Sequence, residues 1–312
     1  MKLALVFPGQ GSQAVGMLQS FAESQPVRET FAEAADVLKQ DLWRLAADGP
    51  AEELNSTINT QPLMLTAGYA VYRAWRAAGG EQPAMVAGHS LGEYTALVVA
   101  GVVSLRDALP LVRLRAQAMQ EAVPVGTGAM AAILGLDDDA VRAACAEAAQ
   151  GEIVEAVNFN APSQVVIAGH KAAFERAAVA AKAKGAKRAV MLPVSAPFHA
   201  SLLKPAAQRL EQVLAGLTFH TPKIPVVNNV DVAVVTDSQQ VKAALARQAC
   251  NPVRWVEVIR YMARSGVTHV GECGPGKVLA GMTKRIDNAL QGFAIADAAS
   301  LAQSVQSWRE AA

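Results

Sequence analysis

Cysteine is scarce: three residues in 312, Cys145, Cys250 and Cys273, with no C-x-x-C pair among them. So sparse and odd a set speaks against a disulfide framework or a structural zinc site, and points to a reducing, cytoplasmic setting. Long apolar runs are missing as well. The longest uncharged one, Tyr94 to Leu105, is too short to span a bilayer. Leu3 to Phe7, closed by Pro8, is too short for a signal peptide. Nor is there an excess of charge of either sign. Lys and Arg number 28 against 27 Asp and Glu, a net of +1, so no overall field draws the chain to nucleic acid or to a membrane surface. No internal repeat or low-complexity tract breaks the texture. What remains is a chain with 52% hydrophobic and 18% charged residues, long enough to bury a large core in one or two domains.

Within that chain one stretch carries chemistry. Ala84-Met85-Val86-Ala87 reads as a buried strand, and Tyr94 to Ala100 as a helix. Between them, Gly88-His89-Ser90-Leu91-Gly92 is a G-x-S-x-G pattern in the strand–turn–helix setting that a nucleophilic serine requires. A turn this sharp leaves no room for side chains at the flanking positions. It holds Ser90 in a strained conformation, with its hydroxyl over the sheet and the next helix's N-terminus aimed at any negative charge forming there. The plain alternative is a glycine-rich turn carrying an idle serine.

The rest of the chain alternates strands and helices, which implies a mostly parallel sheet covered on both faces. Leu3 to Phe7 is a strand, followed by the loop Pro8-Gly9-Gln10-Gly11-Ser12-Gln13. Gly9, Gly11 and Ala14 match a dinucleotide fingerprint, but Pro26 to Lys39 has helical spacing where the second strand should come. The loop is therefore read as closely approaching backbone able to supply an N–H donor. Ser104 is expected to cap a helix reaching Ala122, which carries Arg113 and Arg115. Two positions apart, they cannot share a face, and an inward arginine calls for an anion. From Gly128 to Leu192 the order β-α-β-β-α-β indicates a small ferredoxin-like unit. The expected division is a main α/β domain of residues 1–125 and 196–312, interrupted by the small domain at 126–195. Later strands are expected at Ile224 to Asn228, at Val267 to Gly271 and near Phe293.

A serine nucleophile needs a base. Of the five histidines, His89 should face away from Ser90, and His170, His220 and His269 lie at a helix start, near a turn and within a strand. His199, where the chain re-enters the main domain, is favoured because clefts form at domain junctions. For a hydrolase, the best acid partner is Asp231.

Four motifs stand in order: Pro8-Gly9-Gln10-Gly11-Ser12-Gln13, Gly88-His89-Ser90-Leu91-Gly92-Glu93-Tyr94, Pro197-Phe198-His199 and Asn251-Pro252-Val253-Arg254-Trp255. Together they resemble the malonyl-CoA:acyl carrier protein transacylases of bacterial type II fatty acid synthesis. Asn158-x-Asn160-x-Pro162-x-Gln164 and Gly274-Pro275-Gly276 are similar to that family too. The resemblance runs from Met1 to about Asn288. It implies an α/β-hydrolase-like main domain with an inserted ferredoxin-like one, and transfer of malonyl from coenzyme A to a phosphopantetheine thiol through a malonyl-serine. It implies Ser90 as nucleophile, His199 as general base and acid, and Gln10 and Leu91 as backbone oxyanion donors. Arg115 would bind the malonyl carboxylate, the backbone carbonyl of Gln248 would orient His199, and Phe198 would go with malonyl rather than branched acyl groups.

No metal and no cofactor beyond the coenzyme A thioester substrate is implied, and a monomer is expected. The partners implied are malonyl-CoA and an acidic acyl carrier protein, with Lys182, Lys184, Lys187, Arg188, Lys284 and Arg285 as possible docking charges or simply a solvated face. The competing readings are a serine thioesterase or esterase, which would pass the acyl group to water, and a non-catalytic module that presents carriers.

Overall fold

The computed structural model describes residues 1–194 and 196–310. Nine strands occur among them: β1 (Leu3–Phe7), β2 (Met85–Gly88), β3 (Gly128–Leu134), β4 (Val154–Ala161), β5 (Gln164–His170), β6 (Arg188–Met191), β7 (Val226–Val227), β8 (His269–Cys273) and β9 (Gln291–Ile295). They form two sheets. One has the order β7-β2-β1-β8-β9 with every pair parallel; the other has the order β4-β5-β3-β6 with every pair antiparallel.

β1 shows why the parallel sheet is so apolar. Leu3, Leu5 and Phe7 pack into one large cluster, while Ala4 and Val6 pack into a second cluster with Met85, Ala87 and Trp255. A strand covered on both faces reads as an unbroken hydrophobic run. The antiparallel sheet has its own core, built from Ile133, Val141, Phe159, Val165, Ile167 and Phe174. The molecule is thus a mixed α/β fold with one parallel and one separate antiparallel sheet. No helix among the described residues is long and apolar enough to cross a membrane.

Three strands depart from the sequence expectation. β7 is two residues rather than five, because Pro225 can only accept from β2, through its carbonyl to Val86 N–H. β8 begins two residues later than expected and runs through Glu272, a fully buried carboxylate. β4, which the sequence pattern places at Ile153 to Val157, runs instead from Val154 to Ala161 with two register shifts. Its extension serves a purpose. Val253 N–H donates to Val157 O at 2.8 Å, and Phe159 N–H to Val253 O at 2.9 Å, stitching the Asn251–Trp255 segment to the antiparallel sheet. The expected return to the main domain at Ser195 falls outside the described residues.

The register of the parallel sheet positions the site. Phe7 lies opposite Gly88, so β1 and β2 end side by side. The loop after β1 and the serine turn after β2 therefore meet at the carboxyl edge of the sheet, where open α/β sheets place their ligands.

Candidate active site

Ser90 follows β2 with φ of 52°, the left-handed region that costs a non-glycine residue about 1–3 kcal/mol. The neighbouring glycines make the turn feasible. A Cβ on Gly88 would lie 1.8 Å from the Gly92 backbone, and one on Gly92 would lie 2.0 Å from Phe7 O. The turn is held by a buried amide. Asn229 Oδ1 accepts from Ser90 N–H at 2.8 Å, and Asn229 Nδ2 donates to Gly88 O at 2.8 Å.

His199 is buried, with φ of 67°, and its Nε2 lies 2.7 Å from Ser90 Oγ. Its Nδ1 lies 2.8 Å from the backbone carbonyl of Gln248. That carbonyl can only accept, so Nδ1 carries the proton and Nε2 is left free to take one from the serine. Burial, and then the Arg115 charge, push the imidazole down to about 3, so it is neutral at physiological pH. Asp231 is not its partner: both carboxylate oxygens are engaged by Arg247, at 2.8 and 2.7 Å. His89 turns away from the serine, with Nε2 2.7 Å from Asn160 Oδ1.

Arg115 lies on the helix Leu105–Glu121, which Ser104 caps as expected. Only 1% of the residue is exposed. Its Nη2 donates to Ser90 Oγ at 3.1 Å and to Gln248 Oε1 at 2.9 Å, and its Nη1 to Gln61 Oε1 at 2.6 Å. The guanidinium also sits 5.3 Å from the centre of the Tyr94 ring. No carboxylate among the described residues forms an ion pair with it. Burial lowers its pKa, as expected for a cation held by neutral groups. Arg113, two residues earlier, faces elsewhere and donates to Leu38 O and Gln40 Oε1.

A cavity of about 100 Å³ joins these groups. Gln10, Leu91, Arg115, Asn158, Phe198 and His199 are among its walls. Leu91 opens the helix Gly92–Val99, and Gln10 lies in the loop after β1. A bond chain links that loop to the arginine: Gln61 Nε2 donates to Thr57 Oγ1 at 3.2 Å, which donates to Gln10 Oε1 at 2.8 Å.

The structure thus brings Ser90, His199, Arg115, Gln10, Leu91 and Gln248 to one place. Sequence reasoning missed Asn229, Gln61 and Glu93, all buried around them. It also gave Gln248 only a backbone role. The side chain, fully buried, donates to Ser90 O at 2.9 Å and to Glu93 Oε2 at 2.9 Å while accepting from Arg115. Glu93 was legible as part of the serine motif, but nothing local assigned it work. Among the described residues, no group of three or more His, Cys, Asp or Glu is arranged to hold a metal.

A serine hydroxyl bonded to a neutral imidazole, with an inward cation that lacks a carboxylate partner beside them, suits acyl transfer with an anionic acyl group. Comparison with known proteins agrees. The acyl transferase domain model matches residues 4–300. The malonyl CoA-acyl carrier protein transacylase of Escherichia coli K12 is 57% identical over 306 residues, covering 98% of this chain and 99% of that one. An acyl-carrier-protein S-malonyltransferase structure from Burkholderia pseudomallei is 67% identical with a TM-score of 0.97, covering 98% and 100% of the two chains. A malonyl-transacylase solved in complex with a type II PKS acyl-carrier protein is 54% identical, also with a TM-score of 0.97, covering 98% and 100%. The chain belongs to the acyl transferase domain family, and within it to the malonyl-CoA:acyl carrier protein transacylases.

Proposed function

We infer that the chain moves malonyl from malonyl-CoA to the phosphopantetheine thiol of an acyl carrier protein, supplying fatty acid synthesis. One observation carries this reading: a buried guanidinium without a carboxylate partner lies 3.1 Å from a serine hydroxyl that is bonded to a neutral histidine. The malonyl carboxylate is the anion that completes the arginine, and a planar guanidinium matches it through two parallel bonds.

The cycle has two halves. Ser90 Oγ attacks the thioester carbonyl as its proton passes to His199 Nε2. The oxyanion is held by the backbone N–H groups of Gln10 and Leu91, a contribution of about 10²–10³ in rate for one such donor. The intermediate collapses, the C–S bond breaks, and the coenzyme A sulfur takes the proton from His199. In the second half the carrier thiol gives its proton to His199 and attacks the malonyl-Ser90 ester. The ester C–O bond breaks and the proton returns to Ser90 Oγ.

The scheme needs no cofactor; coenzyme A enters only as the leaving group. The parallel sheet is read as α/β-hydrolase-like, with the small ferredoxin-like domain at residues 126–195 closing the cavity over the main one. Lys187 and Arg188 lie at the start of β6, the strand that leads to Leu192 and Val194 in the cavity wall, and are offered as docking charges. An acidic carrier would meet positive charge there. The setting proposed is the cytoplasm.

The test is turnover of malonyl-CoA with and without phosphopantetheinylated carrier protein. Carrier-dependent loading supports the reading. Rapid coenzyme A release without carrier would make the enzyme a thioesterase instead.

A further inference from the structure

Arg115 is aimed by the side chains that hold it. Gln248 is the pivot. An amide side chain has two faces of opposite character, one that accepts and one that donates. Here Oε1 faces Arg115 and Nε2 faces Ser90 O, Glu93 Oε2 and Asn229 Oδ1. Reversing the amide would set NH2 against a guanidinium, donor against donor.

Glu93 supplies the side-chain acceptor nearest that Nε2, and the arrangement is economical. One oxygen, Oε2, receives Gln248 Nε2 at 2.9 Å and the backbone N–H of Asn229 at 3.0 Å. The residue is 2% exposed and reaches no cation directly. Its position on the first turn of the helix Gly92–Val99, three residues after Ser90, ties it to the serine turn. Asn229, which it grips, holds Ser90 N–H.

Resting on the malonyl-transfer reading, we propose that Glu93 is a positioning residue for acyl selectivity: its Oε2, together with Ser90 O, anchors the Gln248 amide, and that amide points the Arg115 guanidinium at the free carboxylate of the acyl group. The role belongs to an acceptor oxygen rather than to a negative charge. Burial, the largest influence on this carboxyl, pushes it up to about 7, so the neutral acid is accessible near physiological pH with the same oxygen in place.

Two variants separate the possibilities. Glu93→Ala removes one of the acceptors that hold Nε2, loosening the amide, and leaves the Asn229 N–H without its partner. Glu93→Gln keeps an oxygen able to receive both donors while removing the charge. The readout is acylation of Ser90 by malonyl-CoA and by acetyl-CoA, followed by intact mass over seconds, with labelling of Ser90 by a fluorophosphonate as a check on the serine–histidine pair. The expected result for Glu93→Ala is a fall of about tenfold or more in the malonyl-to-acetyl rate ratio, the scale of a buried donor left unmatched. For Glu93→Gln the ratio stays near wild type. Equal loss on both substrates in the alanine variant would reduce Glu93 to a structural role. A glutamine variant that folds, labels with fluorophosphonate and still loses selectivity would overturn the acceptor argument even if the alanine variant does not fold. A wild-type enzyme without malonyl preference would instead overturn the function on which the proposal rests.

Discussion

Replacing Arg115 with alanine separates recognition from chemistry. The side chain makes three hydrogen bonds, to Gln61, Gln248 and Ser90, and is buried. In the acylated enzyme two of its N–H groups are expected to meet the malonyl carboxylate. Charge-assisted bonds of this kind contribute about 1.5–3 kcal/mol each, so losing two costs about 3–6 kcal/mol. At about 1.4 kcal/mol per tenfold, malonyl kcat/KM should fall by about 10²–10⁴. Acetyl-CoA has no carboxylate to lose, and in the native enzyme it leaves the guanidinium buried without its anion. Its rate should therefore hold or rise, and the malonyl-to-acetyl ratio should collapse by at least about 10². The assay is stopped-flow coenzyme A release with each thioester at subsaturating concentration. A second signature comes from charge. Arg115 is, after burial, the main influence holding His199 down, so its removal should raise the acid limb of the acetyl pH profile. Equal losses on both substrates in a folded protein would refute the carboxylate role, leaving Arg115 as a strut between Gln61 and Gln248.

Further outcomes follow from the same geometry. Because His199 is pushed down to about 3, the acid limb of kcat/KM should lie well below the ordinary histidine value of about 6.5; a limb at or above that value contradicts a base kept neutral by burial. Gly88→Ala places a methyl 1.8 Å from the Gly92 backbone and should cost about 3 kcal/mol or more of stability, read as a urea midpoint shift with unchanged slope. Glu93 binds more protons folded than unfolded between about 4.5 and 7, so it subtracts stability as pH rises through that window. Glu93→Gln should remove about 2 kcal/mol of that loss between pH 5 and 7, visible as a flatter stability profile; an unchanged profile means that the carboxyl titrates normally.

The readable parts of this chain were those with short-range causes. β1 and the serine turn came from an apolar run closed by Pro8 and from paired glycines whose spacing permits one backbone path. Arg113 and Arg115 were separable because helical geometry sends them to different faces, and the structure puts only Arg115 at the serine. His199 was favoured for its place in the chain, and its partner carbonyl at Gln248 came from family resemblance. The less legible parts have long-range causes. Asn229 stands 139 residues from the Ser90 amide it accepts from, and Gln248 lies 155 from Glu93. Amides have no sequence signature, since their value depends on what meets them in the core. The strand around Glu272 was misplaced for a similar reason. A carboxylate ends an apolar pattern on paper, yet here it is buried with one oxygen receiving the N–H of Ala280, at the start of the helix Val278–Ile286.

The central claim is that Ser90 carries the acyl group while Arg115 holds its far carboxylate. Brief exposure to malonyl-CoA, followed by peptide mapping of the intact adduct, tests it most directly. The account predicts a single malonyl group on the peptide containing Ser90, stable enough to isolate and discharged by the phosphopantetheine thiol of a carrier protein. An adduct on any other side chain, or one discharged by water as fast as by the thiol, would contradict it.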